Sequence, residues 1–289
     1  MTDTHHPPAE RPDADPPARP DTPDRTRGRH PARPGAPRAV ALTALTGVVA
    51  GLLSGLFGVG GGLVIIPALV AILGMEQRRA SATSLAATVL TATAGSTTYA
   101  AHGQVSLVAT LVVALGSLVG AQIGVRLLRR LPNKVLSIVF VAFVGFVIVS
   151  MQLQVPVRDA PMTITPWACL GMVVVGLVAG IFAGLVGVGG GSIIVPGLEL
   201  VVGAGDLLAR GTSLLVMIPT GVTGTISNAR HRLVDLRTAL IVGGCAAALT
   251  PVGRLIAAQV SPRVGSLLFS GFLLIVVFTT LRTIARAHR

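Results

Sequence analysis

Two glycine clusters are the residues in this sequence best suited to chemistry. Each cluster follows an apolar run and precedes a second, shorter apolar piece. Glycine tolerates the backbone angles that break a helix. A helix that restarts after such a break presents free N–H groups and a partial positive charge. The clusters therefore predict an anion-binding site built from backbone groups, and they comprise Gly58, Gly60, Gly61, Gly62, Gly187, Gly189, Gly190 and Gly191.

Small polar side chains follow both clusters. Hydroxyl groups near the start of a helix can cap it, or they can donate hydrogen bonds to an oxyanion, and the sequence leaves both roles open. Because we see no arginine or lysine inside the apolar runs, we expect backbone groups and neutral side chains to bind the substrate. These candidate side chains are Ser192, Thr83, Ser84, Thr212 and Ser213, with Asn228 and Thr225 ranked below them.

Three titratable residues are candidates for proton coupling or have simpler roles. Glu199 is an acid within an apolar run, and an intramembrane carboxylate suggests a function. His231 and His102 end equivalent apolar runs, where an interfacial histidine needs no function. Cys169 and Cys245 lie in apolar runs and are expected to be packing residues. We find no catalytic triad, metal-ligand cluster or cofactor motif, so we expect neither an enzyme nor a bound cofactor or metal.

The sequence aligns with itself when it is shifted by 129 positions. A constant offset over so many positions indicates a duplicated unit. Among the matching pairs are Gly58 with Gly187, Gly60 with Gly189, Pro67 with Pro196, Thr83 with Thr212, Ser84 with Ser213, His102 with His231, and Gly124 with Gly253.

The composition is that of an all-α integral membrane protein. Hydrophobic residues make up 52% of the chain and charged residues only 12%, with a mean hydropathy of +0.78. Apolar runs such as Val105–Val125 contain no charge, and a spanning helix needs roughly 20 such residues. The runs do not alternate, which disfavours a β-barrel. The net charge of +12 lies in a tail and short loops, a membrane pattern rather than a nucleic-acid site.

Each copy of the repeat predicts a broken helix hairpin followed by three transmembrane helices. The short piece after the glycines has 11 residues, so at about 1.5 Å per residue it reaches only half-way through a bilayer. The first copy predicts helices near 39–57, 63–73, 81–101, 105–127 and 134–155. The second copy predicts helices near 167–186, 192–202, 209–229, 234–257 and 264–284.

The loop charges predict that the two repeats are inverted. If each broken segment crossed the membrane, the two sides would hold seven and nine positive residues, which shows no bias. If each broken segment instead returned to the side from which it entered, twelve positive residues would lie inside and four outside, as the positive-inside rule requires. The twelve are Arg78, Arg79, Arg126, Arg129, Arg130, Lys134, Arg230, Arg232, Arg237, Arg282, Arg286 and Arg289; the four are Arg158, Arg210, Arg254 and Arg263.

The domain organisation follows from these elements. Residues 1–38 are rich in proline, aspartate and arginine, and we expect a disordered cytoplasmic tail. The first membrane repeat is predicted at 39–157 and the second at 163–284. We expect a multi-pass protein of the bacterial inner membrane with both termini in the cytoplasm. Its expected partners are the lipid bilayer and a small anion, not nucleic acid, and a homo-oligomer is compatible with the sequence.

The twin glycine segments, each followed by a Thr-Ser-Leu helix start, resemble the sulfite exporter TauE/SafE family of membrane transporters. The resemblance covers roughly residues 40–284. It implies a transporter or exporter of a small anion, such as sulfite, sulfoacetate or another organosulfonate. Two alternatives stay open: an assembly or accessory protein of the membrane without a transport cycle, and a cation carrier that uses Glu199.

Overall fold

The computed structural model of this protein describes residues 37–153 and 165–286. These residues form ten α-helices. The first half contains α1 (Pro37–Phe57), α2 (Gly62–Leu73), α3 (Gln77–Ala100), α4 (Leu107–Arg130) and α5 (Asn133–Leu153). The second half contains α6 (Pro166–Val186), α7 (Gly191–Val202), α8 (Asp206–Arg230), α9 (Leu236–Gln259) and α10 (Pro262–Arg286).

The all-helical membrane fold predicted from the sequence is confirmed. Each predicted helix is present, and α3 and α8 start three to four residues earlier than expected, so Arg78 and Arg79 belong to the first turn of α3. Five of the described helices, α1, α4, α6, α8 and α9, are long and apolar enough to cross a membrane. The predicted disordered tail lies outside the described residues, except for Pro37 and Arg38, which begin α1. The domain boundaries stay a prediction.

Large apolar side chains cover the outer surface of the bundle. Leu111 on α4 is 69% exposed and Leu240 on α9 is 62% exposed, although both are aliphatic. Water would penalise such a surface, and hydrocarbon would not. The outer faces of these helices therefore suit contact with lipid.

Helices of one half pack mainly on helices of the other half. The closest pairs are α1 with α9 and α4 with α6, while α3 packs on α8 and α5 packs on α10. Small residues bring the backbones together, as in many membrane helix pairs. A Cβ added to Gly51 would lie 2.2 Å from the carbonyl oxygen of Ala246, and one added to Gly180 would lie 2.2 Å from that of Ser117. These two contacts are the same contact shifted by 129 positions.

Contacts between helix ends give the direction of each helix. At one end of the bundle, Arg78 donates to the carbonyl of Leu131 at 2.6 Å, and the Thr83 hydroxyl accepts from the Asp235 N–H at 3.1 Å. At the opposite end, the Thr212 hydroxyl accepts from the Ser106 N–H at 3.0 Å. Accordingly α3 starts at the first end and α8 starts at the second. Opposite directions in equivalent helices support the inverted-repeat prediction.

Among the residues that the structure describes, most of the exposed positive side chains lie at the first of these ends, and we call it the basic end. It contains the loops 74–76, 131–132 and 231–235. The partly or fully exposed cations close to it are Arg78, Arg79, Arg126, Arg129, Arg130, Lys134, Arg230, Arg232 and Arg237. Positive loops remain on the cytoplasmic side during insertion. The basic end is therefore predicted to face the cytoplasm.

The predicted orientation can be checked by cysteine labelling. Single cysteines in the loops 131–132 and 231–235, on a background lacking Cys169 and Cys245, should not react with an impermeant thiol reagent in intact cells. A single cysteine in the loop 101–106 should react. The same cysteines in permeabilised cells serve as the control. Labelling of either basic-end loop from outside would contradict the inverted arrangement.

Candidate functional site

Two helix breaks at equivalent positions form the centre of the candidate site. Helix α1 ends at Phe57 and α2 begins at Gly62, while α6 ends at Val186 and α7 begins at Gly191. The six glycines at the breaks have φ angles between 69° and 87°, which side chains rarely adopt. They are Gly58, Gly60, Gly61, Gly187, Gly189 and Gly190. The local sequence thus specifies both breaks.

The two breaks lie directly against each other. A Cβ added to Gly62 would lie 2.5 Å from the Cα of Val188, and one added to Gly191 would lie 2.5 Å from the carbonyl oxygen of Gly58. We call the segments 58–62 and 187–191 together the glycine crossing. The N-termini of α2 and α7 both start in this crossing. The predicted glycines are therefore brought together, and the contact leaves no room for larger residues.

Middle residues of α3 and α8 surround the glycine crossing. Thr88 and Met217 are equivalent positions, and both lie against Gly60 and Gly189. The Thr88 hydroxyl donates to the carbonyl of Gly60 at 3.1 Å. The Ser213 hydroxyl donates to the carbonyl of Gly58 at 3.2 Å. Of these neighbours, Ser213 belongs to the predicted set, whereas Thr88 and Met217 were not predicted from the sequence.

Several predicted binding side chains are buried without a hydrogen-bond partner in the described part of the chain. They include the hydroxyls of Ser84 and Ser192 and both polar atoms of the Asn228 amide. Ser84 is the equivalent of Ser213, and Ser192 is the second residue of α7. Buried polar groups normally have partners, because an unmade hydrogen bond costs free energy. These side chains are therefore available to bind a polar ligand or water.

Thr83 and Thr212 have a structural contact in addition to their predicted role. Each hydroxyl accepts a hydrogen bond from the backbone N–H of a helix N-cap residue. Thr83 accepts from Asp235, the N-cap of α9, and Thr212 accepts from Ser106, the N-cap of α4. Each bond also joins one half of the chain to the other. Substrate binding by these two residues stays a prediction.

Two arginines are buried close to the breaks, so the premise that no arginine lies inside the apolar part of the bundle is wrong, while binding by neutral groups stays a prediction. Arg210 is 7% exposed and Arg254 is 5% exposed. Arg210 donates to the carbonyl of Leu56 at 2.6 Å and forms an ion pair with Asp206 at 3.1 Å. The loop charges predicted both arginines on the outer side of the membrane, but α8 and α9 carry them into the bundle.

Tyr99 and Gln104 complete this polar cluster. The Tyr99 hydroxyl donates to the carbonyl of Gly55 at 2.8 Å, near the end of α1. The Arg254 guanidinium lies 5.8 Å from the centre of the Tyr99 ring and bonds to the Gln104 side chain. A comparison of the two repeats could have found the cluster, because its members break the repeat. In the other repeat, Tyr99 corresponds to Asn228, Gln104 to Leu233, Asp206 to Gln77, Arg210 to Ser81, and Arg254 to Val125.

The titratable candidates are not part of the glycine crossing itself. Glu199 is half-buried on α7, close enough to Arg210 and Asp206 to interact with their charges. His231 is exposed at the basic end beside the Arg129 guanidinium, and His102 is exposed at the opposite end. The described residues contain no group of three or more histidines, cysteines and acids that could hold a metal ion. Proton coupling by Glu199 or His231 stays a prediction.

This fold and its crossed broken helices define a helical membrane protein of the transporter class. The chain belongs to the sulfite exporter TauE/SafE family, which it matches over residues 16–151 and 172–289.

Curated relatives are similar to this chain over most of their lengths. A probable membrane transporter of Xylella fastidiosa is 29% identical over 213 residues, covering 72% of this chain and 81% of the relative. A probable membrane transporter of Haemophilus influenzae is 30% identical over 197 residues, covering 65% and 73%. The Bacillus subtilis probable membrane transporter YunE is 27% identical over 206 residues, covering 63% and 75%. No solved structure matches the chain.

The threonine contacts predict a loss of stability when either hydroxyl is removed. Thr212→Val leaves the Ser106 N–H without its acceptor, which should cost about 1–3 kcal/mol. Thr93→Val is the matched control, because Thr93 is exposed and its hydroxyl bonds only within α3. Thermal unfolding of the purified protein should show a lower midpoint for Thr212→Val than for the control. Equal midpoints would mean that the interhelix bond does not stabilise the fold.

Proposed function

We propose that this protein is a secondary transporter of a small anion, with a sulfur-containing oxyanion or an organosulfonate as its substrate. Sulfite and sulfoacetate are the first substrates to test. The central observation is the glycine crossing, where the N-termini of α2 and α7 start beside unpartnered buried hydroxyls. The same proposal places the protein in the bacterial inner membrane, with both termini in the cytoplasm.

The electrostatics of the crossing favour an anion. Each helix N-terminus presents roughly half a positive charge, so two can balance about one negative charge. The hydroxyls of Ser84 and Ser192 and the amide of Asn228 can donate further hydrogen bonds to oxygen atoms. Arg254 adds positive charge on one side of the crossing, where Arg210 is paired with Asp206. Arg210 packs on Gly58, so the acids beside it, Asp206 and Glu199, already have a cationic partner and offer little to a bound cation.

Inverted repeats also offer a route for alternating access. Transporters of this architecture bind substrate at broken helices near the bilayer midplane and rock one repeat against the other. Thr88 and Met217, near the middle of α3 and α8, lie against Gly60 and Gly189, which supports a site midway along these helices. An exchange of contacts between equivalent residues of the two halves would open the site to either side.

An assembly or accessory role is the alternative, and one observation favours it. The glycines pack tightly against backbone atoms of the other break, as they would in a rigid structural core. A rigid core has no use for buried polar groups that lack partners, because each costs free energy. The unpartnered Ser84, Ser192 and Asn228 therefore favour transport.

Flux measurements in reconstituted vesicles distinguish the two roles. We expect sulfite or sulfoacetate to move faster through vesicles containing the protein than through empty ones, while a neutral amino acid and an organic cation do not. The Gly190→Val variant should abolish this flux, because its Cβ would lie 2.9 Å from the carbonyl of Ala179 at a φ of 86°. Gly244→Val is the control, since a Cβ at Gly244 has no neighbour within 4 Å. Cation flux without anion flux would overturn the proposal.

A further inference from the structure

Arg254 is a buried cation whose side-chain hydrogen bonds are to a neutral group. Its Nε and one terminal nitrogen both donate to Oε1 of Gln104, at 3.3 and 2.9 Å. The side chain belongs to α9, and its backbone nitrogen would lie 2.8 Å from a Cβ on Gly55, three residues before the glycine crossing. Burying a charge is expensive unless an opposite charge compensates it. Gln104 satisfies two N–H groups but does not neutralise the charge.

The neighbouring acids are associated with the other arginine. Asp206 forms its ion pair with Arg210, and Arg210 also bonds to the last turn of α1. Glu199 interacts electrostatically with Arg210 and Asp206. Arg210 therefore has both a counter-charge and a structural partner. Arg254 instead lies over the Tyr99 ring, and the Tyr99 hydroxyl donates its hydrogen bond to the carbonyl of Gly55.

The two repeats differ at this point, and only one of them has the cation. The residue equivalent to Arg254 is Val125, and a Cβ on Gly184 would lie 2.8 Å from the Val125 nitrogen, the same distance as between a Cβ on Gly55 and the Arg254 nitrogen. The backbone packing of this position therefore does not require an arginine. A role in packing alone does not account for a residue that is costly to bury.

We infer that Arg254, held by Gln104 beside Tyr99, forms a charge-recognition subsite for the transported anion, on the side of the glycine crossing away from the basic end. The inference rests on the proposed anion transport. It names the residue that recognises the charge of the anion and the side of the crossing on which that residue lies. Guanidinium presents a planar set of donors that matches two oxygens of a sulfite or sulfonate group. An anion that pairs with Arg254 supplies the counter-charge that Gln104 cannot supply.

Replacement of Arg254 by methionine separates recognition from folding. Methionine has a similar length and no charge, so the replacement removes the cost of burying a cation without a counter-charge, and the half-buried Gln104 can bond to water instead. We expect Arg254→Met to unfold at the wild-type temperature or above in the absence of anion. In vesicles, its KM for sulfite should rise by about tenfold or more, as expected when a charge-assisted contact is lost. Arg254→Lys should restore part of this loss, and Arg263→Gln, an exposed cation at the same end, should behave as wild type.

Anion-dependent stabilisation provides the direct binding measurement. In lipid-free detergent, sulfite or sulfoacetate should raise the unfolding midpoint of the wild type but not that of Arg254→Met, which excludes a lipid headgroup as the ligand. A variant that fails to fold, or that keeps the wild-type anion-dependent shift, would assign Arg254 a structural role and overturn the inference alone. Absence of both flux and stabilisation in the wild type would instead overturn the proposed function.

Discussion

The structure depends on the contact between two interrupted helices at the glycine crossing. The backbone of one break lies against the backbone of the other, so that an added Cβ at Gly62 or Gly191 would overlap its neighbours. Positive φ angles at the breaks impose the same restriction independently of space. These two requirements explain why glycines occur at equivalent places in both halves. The contact also places two helix N-termini together in the interior of the bundle.

Other interactions in the bundle hold this contact in place. Helices α1 and α9, and equivalently α6 and α4, approach closely through small residues along their length. Thr83 and Thr212 connect the starts of α3 and α8 to the caps of helices in the other half. Because every major interface joins one half to the other, neither half contains the whole site. A movement that repacks one of these interfaces would change access to the crossing.

The two halves are similar in backbone but different in charge. On the side away from the basic end, Arg210 and Tyr99 donate to the last carbonyls of α1, which have no partner within the helix. The equivalent residues of the other half are Ser81 and Asn228, and the Asn228 amide has no partner among the described residues. One side of the crossing is thus held by hydrogen bonds from Arg210 and Tyr99, whereas the other contains the Asn228 amide, which has no partner among the described residues. This difference makes the two sides of the site chemically unequal, although the repeat by itself would make them equivalent.

Sequence patterns predicted the helices and the breaks because both follow from local chemistry. The length of each apolar run predicted a helix, and the glycine clusters predicted the breaks at Gly58–Gly62 and Gly187–Gly191. The repeat offset also predicted which residues are equivalent. It did not predict that Arg210 and Arg254 are buried, because the burial of a residue near a helix end depends on the tilt and packing of its neighbours. Nor did it predict the cap contacts of Thr83 and Thr212, which join residues more than one hundred positions apart.

Protection of Ser192 by a transported anion would test most directly whether the glycine crossing is the transport site. Ser192→Cys, on a background without Cys169 and Cys245, places a thiol at the second residue of α7 with little change in size. Its reaction with a maleimide should slow as sulfoacetate, which does not react with the reagent, or another transported inert anion is added. Half-maximal protection should occur near the KM for transport of that anion. Unchanged labelling at a saturating concentration of a transported anion would contradict the account.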